Sequence, residues 1–413
     1  MALQVNLPQE MIDAIIDHLH DDKTALSKCA LVSPAWLPSA HHHLFHTLRV
    51  LVPRESGFTS FFQFIVSSSP SVCESIVVFE LGGPGSSFGD LETFSELDLD
   101  AFRSVLSRMP NLTSLSLHGL HVRSPFGSSS HTISSKLSTR PLTGLKKLVL
   151  TNIALKDDNL RDLSGLVALS SGLEELHILT LLDRVATLSA DWMQTAKVVQ
   201  QAEDMRLKTL SFGSPFMTMP IVVRILDSIP TLGSSLTSLD VRAVSSDDLP
   251  PVGKVLGVVG PNLRYLGLDI SYLHTGNHSI RDLLELPHKC DLGSVTHWDE
   301  FNLRRCTSLQ EIRIQASMYS PWETVTKELL SLTLSHLFSA VQTLHLILDV
   351  HPLMHISKLE DGILPFPGIK TVKVLTHPQA GSPPFRGRGL DISERVFVVH
   401  ELPRLNSRGI LRF

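Results

Sequence analysis

The stretch Asn111–Leu117, NLTSLSL, has near copies at three other places in the chain. The copies are GLKKLVL at Gly144–Leu150, SLTSLDV at Ser235–Val241 and NLRYLGL at Asn262–Leu268. Each ends in apolar residues at alternate positions. Because successive side chains of a strand point to opposite faces, the pattern predicts a β-strand with one buried face.

The same spacing, with other apolar residues allowed, occurs nine times. The nine matches begin at Leu112, Leu145, Leu173, Leu207, Leu236, Leu263, Leu309, Val341 and Ile369. Successive starts are 27 to 46 residues apart, which leaves room for a loop, a helix and a return. The helical segments predicted between strands are Leu160–Leu169, Ala190–Met205, Ile221–Ile229 and Thr324–Phe338.

One strand–helix unit of this length cannot bury its apolar face alone, whereas stacked units can. The sequence therefore predicts an irregular α/β solenoid that resembles leucine-rich repeats. A doubly wound α/β fold also alternates strands and helices, but such folds do not repeat one leucine pattern nine times. We expect Ile76–Leu81 to open the array, Val396–Val399 to close it, and surface loops near residues 124–138 and 378–389.

Composition excludes several other classes of protein. Of 413 residues, 43% are hydrophobic and 19% are charged, which argues against a largely disordered chain. The net charge of −5 shows no basic excess for nucleic acid. No apolar run approaches the ~18 residues of a spanning helix, and the N-terminus lacks a secretory pattern. We therefore expect no membrane or nucleic-acid partner, a location in the cytosol or nucleus, and four free, buried cysteines.

The first fifty residues do not follow the repeat. In the segment 7–45, apolar residues recur at helical spacing through Met11, Ile15 and Leu19. Asp21 and Asp22 can cap a second helix, and a third can start at Ser33-Pro34 or at Pro38. The sequence predicts a three-helix docking module at residues 1–50, followed by the solenoid at residues 51–413. A unit of this size usually needs a partner to complete its core.

This module resembles the F-box family. The residues in register with that pattern are Leu7-Pro8, Glu10, Ile15-Ile16, Leu19, Leu26, Val32-Ser33 and Trp36. The resemblance implies a non-enzymatic, substrate-recruiting adaptor of an SCF-type cullin–RING ubiquitin ligase, without a cofactor. It also implies docking on a Skp-type linker subunit through Leu7, Pro8, Ile15, Leu19, Leu26, Val32 and Trp36. For these residues, packing within the module is the alternative interpretation.

The strand array would then hold the protein target. In a curved solenoid, the side chains between the apolar positions of each strand face outward on the concave side. The most chemically diverse of these form a predicted substrate patch of Asp240, Arg242, Tyr265, Asp269, Glu311 and Arg313. Tyrosine and arginine are enriched at binding hot spots. The alternative is a solvated sheet face with complementary cross-strand pairs.

Other motifs indicate a catalytic or metal site only weakly. Gly85–Gly89 matches the nucleophile-elbow pattern around Ser87, but its glycine-rich flank favours a loop. The histidines at 41–43 and 46, and the set His288, Cys290, His297 and Cys306, fit no standard metal spacing. Two alternatives to the adaptor remain: an interaction scaffold with no ligase role, and more remotely a serine hydrolase that uses Ser87.

Overall fold

Helices and parallel β-strands make up the protein, which confirms the predicted α/β class. The computed structural model describes residues 7–51, 58–83, 94–123, 142–155, 166–167, 169–179, 181–182, 205–213, 229, 231–242, 249–269, 301–316, 341–348, 360–361, 363–364, 366–376, 390 and 392–413. Contacts divide the chain into two compact units, Met1–Met205 and Arg206–Phe413. Among the described residues, no helix has the length and apolar character needed to cross a membrane.

The first unit begins with three helices and continues with strands. Its described elements are α1 (Gln9–Asp17), α2 (Lys23–Cys29), α3 (Leu37–Phe45), β1 (Thr47–Leu51), α4 (Thr59–Ser67), α5 (Pro70–Ser75), β2 (Val78–Gly82), β3 (Ser95–Asp98), α6 (Leu99–Leu106), β4 (Ser114–Arg123), β5 (Lys147–Leu155), β6 (Glu175–Ile178) and β7 (Leu181–Leu182). Strands β1, β2, β4, β5 and β6 are neighbours in that order, all parallel. In addition, β3 pairs with β4, and β7 with β5.

The second unit repeats the same arrangement. Its described elements are β8 (Thr209–Phe212), α7 (Leu232–Ser235), β9 (Ser238–Val241), α8 (Leu249–Val259), β10 (Tyr265–Asp269), β11 (Glu311–Ala316), β12 (Thr343–Leu348), β13 (Thr371–Thr376), α9 (Ile392–Glu401), α10 (Pro403–Ser407) and β14 (Leu411–Arg412). Each strand from β8 to β14 pairs in parallel with the next one along the chain. A parallel sheet in chain order requires a crossover after every strand.

The repeated apolar positions form continuous rows across the strands. In the second unit one row consists of Leu210, Leu239, Leu266, Ile312, Leu344 and Val372, and the next of Phe212, Val241, Leu268, Ile314, Leu346 and Val374. Every member is buried. In the first unit, Leu115, Leu148 and Leu176 form an equivalent buried row. The alternation read from the sequence is therefore confirmed in the described strands.

The last strand is not where the sequence placed it. The run Val396–Val399, predicted to close the array, lies within α9. A strand would bury alternate residues, but Val398 is buried whereas Val396 is 65% exposed. Burial recurs instead at Leu402, four residues after Val398, which is helical spacing. Strand β14 takes the closing position at Leu411–Arg412, in register with β13. The strand predicted to open the array, Ile76–Leu81, begins two residues late, at Val78, and it does not open the array, because β1 precedes it in the sheet and pairs with it.

The segments predicted between the strands fall largely outside the described residues. This holds for the helices predicted in Leu160–Leu169, Ala190–Met205, Ile221–Ile229 and Thr324–Phe338, and for the loops near 124–138 and 378–389. Described crossover helices include α4 and α5 between β1 and β2, α6 between β3 and β4, and α8 between β9 and β10. Helix α8 is the longest of these. It buries Val252, Leu256 and Val259, at helical spacing.

The three N-terminal helices run directly into the strands of the first unit. Helix α3 ends at Phe45 and β1 begins at Thr47. The His46 carbonyl between them accepts hydrogen bonds from the N–H groups of Val77 (3.0 Å) and Val78 (2.9 Å). The boundary predicted at residue 50 therefore lies within β1.

Of the four cysteines, three lie in the described part of the chain, and all three are free thiols as predicted. Cys73 and Cys306 are buried, whereas Cys29 is only half-buried. Burial raises the pKa of the Cys306 thiol to about 12, so it stays protonated at neutral pH.

Gly213 provides a test of the contact between β8 and β9. Its φ of +145° is a conformation that L side chains rarely adopt, and an added Cβ would lie 2.1 Å from the Arg242 carbonyl oxygen. We expect Gly213→Ala to lower the free energy of unfolding by more than about 1 kcal/mol in urea titrations.

Gly257→Ala is the matched control. Gly257 lies in α8, and an added Cβ would come no closer than 3.8 Å to Asn302. Because alanine has a higher helix propensity than glycine, this substitution should raise the free energy of unfolding by up to about 1 kcal/mol. Equal stability of the two variants would contradict the strand geometry.

Candidate functional site

The three N-terminal helices share a small buried cluster. It consists of Ile12 and Ile16 from α1, Leu26 from α2 and Ala40 from α3. The partly buried residues packed against it are Leu19, Cys29, Ala30, Trp36 and Leu44. Asp22 caps α2, since its Oδ1 accepts a hydrogen bond of 2.9 Å from the Ala25 N–H. Helix α3 has Pro38 in its first turn, so the later of the two predicted starts is confirmed.

Helix α1 carries a second apolar stripe that the cluster does not use. Met11 and Ile15, one residue before each core isoleucine, are 52% and 40% exposed. In the segment after α2, Leu31 and Val32 are 87% and 63% exposed. The side chain of Gln9 donates to the Ala35 carbonyl (3.2 Å), which ties the start of α1 to that segment. The module therefore keeps a set of large apolar side chains in contact with water.

Polar contacts fix α1 against α3. The Asp13 carboxylate accepts hydrogen bonds from the Ser39 hydroxyl and from Gln9 (2.8 Å). These hydrogen bonds, the one from Ser39 first, lower the pKa of Asp13. Further along, the His43 ring lies 2.7 Å from Asp17. These contacts join α1 to α3 at two positions along the helices.

The predicted docking residues fall into three groups. Those exposed at the surface are Leu7, Pro8, Ile15 and Val32. Leu19 and Trp36 are partly buried against the cluster. Leu26 is completely buried, so it packs within the module and a partner cannot reach it. Two exposed residues, Met11 and Leu31, were missed; for Met11 the signal was its place one helical turn before Ile15.

The second candidate surface is the polar face of the second unit. We use this name for the side chains of β8–β14 that alternate with the buried rows. Its middle row, in register across the strands, is Ser211, Asp240, Gly267, Arg313, His345, Lys373 and Arg412. The parallel register places chemically different side chains from distant sequence positions next to one another.

The six residues of the predicted substrate patch lie close together on or beside β9, β10 and β11. Asp240 Oδ2 lies 3.5 Å from Arg242 Nε and accepts a 3.4 Å hydrogen bond from the Ser211 hydroxyl. Asp269 accepts from Gln315 (3.2 Å). Glu311 pairs with the ring of His345 at 3.2 Å, and Arg313 hydrogen-bonds Tyr265. The six predicted residues are therefore neighbours in the structure, and Gln315 and His345 join them as hydrogen-bond and ion-pair partners that the sequence did not indicate.

Gly267 makes this packing possible. It stands between Asp240 and Arg313 in the middle row. A Cβ at this position would lie 2.0 Å from Asp240 Oδ1. The missing side chain therefore leaves the space that the Asp240 carboxylate occupies.

Partial burial shapes the electrostatics of the patch. Desolvation lowers the pKa of Arg242 to about 9, while Asp240 acts in the opposite direction. Burial, reinforced by Asp240, raises the pKa of Tyr265 to about 12. At neutral pH, Arg242 is thus cationic and Tyr265 is a neutral phenol. The patch offers hydrogen-bond donors and both signs of charge.

The strands of the first unit carry charges in complementary pairs. Arg49 and Glu80 are in register on β1 and β2, with Nε and Oε2 3.1 Å apart. Lys147 and Glu175 are in register on β5 and β6, at 2.8 Å. The hydrogen bond from Lys147 lowers the pKa of Glu175. In these places the face matches the alternative of a solvated sheet with cross-strand ion pairs.

The remaining chemical motifs do not build a site in the described part of the chain. Ser87 lies outside the described residues, as do His288, Cys290 and His297. The rings of His42 and His46 approach edge to face, with centroids 5.6 Å apart. Within the described ranges, no three His, Cys, Asp or Glu residues cluster so as to hold a metal ion.

Comparison with known proteins adds no assignment. No protein-family model matches the sequence, and a search of curated proteins finds no significant match. Function is therefore inferred from the two surfaces above.

The pair of Asp240 and Arg242 provides a test of the patch. Asp240→Asn keeps the shape but leaves the Arg242 guanidinium, only 13% exposed, without its nearest carboxylate. We expect the free energy of unfolding to fall by about 2 to 3 kcal/mol. Adding Arg242→Met should recover most of the loss, because the uncompensated charge is gone. A double variant as unstable as the sum of the two single changes would show that the pair is not coupled.

Proposed function

We propose that the protein is a non-catalytic adaptor that recruits substrates to an SCF-type cullin–RING ubiquitin ligase. Helices α1–α3 act as an F-box and dock on a Skp-type linker subunit. The leucine-rich-repeat-like strand array binds a protein target on its polar face. We further propose that it works in the cytosol or nucleus, and needs no cofactor, membrane or nucleic acid.

The observation that carries this proposal is the exposed apolar stripe of α1–α3. Fully burying one Met, Leu, Ile or Val side chain is worth about 1.5 to 3 kcal/mol. In the chain alone, much of this stabilisation is not realised, because four such side chains are exposed: Met11, Ile15, Leu31 and Val32. A helical partner that covers them would gain it on binding. The F-box resemblance supplies the identity of that partner.

The buried rows support the second half of the proposal. A parallel sheet in chain order, with one leucine pattern per strand, is the organisation expected of stacked strand–helix repeats. Such arrays present side chains from many strands on one continuous surface. The patch around Tyr265 and Arg313 combines an aromatic ring, cations and carboxylates, which suits recognition of a protein segment with mixed charge.

Co-expression with a Skp-type subunit tests the docking half. The full chain should co-elute with that subunit in gel filtration. Ile15→Ala combined with Val32→Ala removes exposed apolar surface without touching the buried cluster. We expect this double variant to bind about tenfold more weakly or worse.

The matched control removes equally exposed valines elsewhere. Val66 and Val396 are 55% and 65% exposed, in α4 and α9. Val66→Ala combined with Val396→Ala should leave co-elution unchanged. Separate elution of the wild-type chain and the linker subunit would overturn the ligase assignment and favour a scaffold.

An activity-based probe tests the absence of catalysis. We expect a fluorophosphonate to label neither the wild-type chain nor its Ser87→Ala variant. Labelling of the wild-type chain that is lost in Ser87→Ala would instead establish a nucleophilic serine.

A further inference from the structure

A single hydroxyl group interrupts the exposed apolar segment between α2 and α3. Leu31 and Val32 come directly before Ser33 and are 87% and 63% exposed. Pro34 and Ala35 follow it and are also exposed. The Ser33 hydroxyl is therefore flanked on both sides by apolar residues of the surface assigned to docking above.

Ser33 lies in a turn, outside the regular helices. The Trp36 N–H donates a hydrogen bond to the Ser33 carbonyl (3.1 Å), and the Ala35 N–H donates one to the Ser33 hydroxyl (3.2 Å). The Gln9 side chain donates to the Ala35 carbonyl from the start of α1. Turns held by solvent-exposed hydrogen bonds of this kind open locally at a low cost in free energy. An enzyme that needs the segment extended can therefore take it from the folded chain.

Proline directly follows this serine. Because proline has no backbone N–H and a fixed φ, an enzyme that acts on Ser33 has to accept this residue at the next position. Protein kinases of the proline-directed class select such Ser-Pro pairs. Ser69-Pro70 is also a Ser-Pro pair in the described part of the chain, but it begins α5 and is not part of the exposed segment.

We propose that a proline-directed protein kinase phosphorylates Ser33, and that the phosphate blocks docking of α1–α3 on the linker subunit. The Ser33 oxygen forms a bond to the γ-phosphorus of ATP, the bond from that phosphorus to the β,γ-bridging oxygen breaks, and ADP leaves. The hydroxyl proton passes to the catalytic base of the kinase. The inference rests on the proposed function, because the docking that it regulates is the one proposed above.

The phosphate would bring about two negative charges into an apolar contact surface. Burying an ionised group without a partner opposes binding more strongly than burial of a neighbouring valine or leucine favours it. No lysine, arginine or histidine occurs in the sequence between Lys28 and His41. The Gln9 side chain, which donates to the Ala35 carbonyl, also donates to Asp13, so these contacts lead to an acidic group. The surrounding segment therefore supplies no cation for the phosphate.

The modification should leave the helices folded. The buried cluster of α1–α3 does not include Ser33. A phosphate oxygen can accept the hydrogen bond that the Ala35 N–H now donates to the hydroxyl. Phosphorylation would thus change the charge of the docking surface while the packing beneath it is kept.

Kinase treatment of the full-length chain tests the proposal. The chain is incubated with ATP and either a mitogen-activated or a cyclin-dependent kinase, and mass spectrometry locates the phosphate. Chain phosphorylated at Ser33 should bind the Skp-type subunit at least about tenfold more weakly in calorimetric titrations. Treated Ser33→Ala should bind as it did before treatment, which assigns the effect to Ser33 rather than to other serines that the kinase modifies.

Two substitutions of nearly equal shape separate charge from bulk. Ser33→Asp should bind the Skp-type subunit about three- to tenfold more weakly than Ser33→Asn, since the aspartate alone is charged. Ser69→Asp adds the same charge at the start of α5 and should bind as the wild-type chain does. Equal thermal melting temperatures would show that the three variants fold.

The outcomes separate this inference from the proposed function. An untreated chain that does not bind the Skp-type subunit would overturn both. An untreated chain that binds, but gains no phosphate at Ser33 from either kinase or binds equally well with it, would overturn this inference alone. Equal binding by Ser33→Asp and Ser33→Asn would contradict the charge-based block, as would an equal loss in Ser69→Asp.

Discussion

The buried rows of leucine, isoleucine and valine are the constraint on which the rest of the structure depends. A parallel strand of this array can bury its inward side chains only if its neighbours continue the same rows. One residue of slippage would move every apolar side chain to the other face. The rows therefore hold each strand at one register, as seen for Leu266, Ile312 and Leu344. The arrangement of side chains on the polar face follows from that register.

Because the register is fixed, each charged side chain of the polar face has defined neighbours on the adjoining strands. The Asp240 carboxylate occupies the space that a side chain at Gly267 would fill. The same carboxylate forms an ion pair with the largely buried Arg242 guanidinium. On the later strands the same alignment brings Lys373 beside Arg412. The core beneath the sheet thus decides which charged side chains of the polar face are neighbours.

The N-terminal helices are stabilised by a separate, smaller core. Their buried cluster around Ile12, Ile16 and Leu26 is small. Polar contacts between helices, such as the hydrogen bond from Ser39 to Asp13, also fix how α1 packs against α3. A module this small buries a limited share of its surface. Its exposed surface therefore includes large apolar side chains, among them those of Met11, Ile15, Leu31 and Val32.

The sequence by itself determined the nine strands that carry the leucine pattern, their inward rows and the helical spacing of α1, because these follow from local alternation and period. It also grouped the patch of Asp240 and Tyr265, since outward positions follow once inward ones are known. Strands β1, β3 and β7 do not carry that pattern and were not predicted. Only the tertiary structure decided that Leu26 is core, that Val398 lies in a helix, and that Arg412 lies beside Lys373. Those outcomes depend on contacts between distant segments, and a two-residue strand has no pattern of its own.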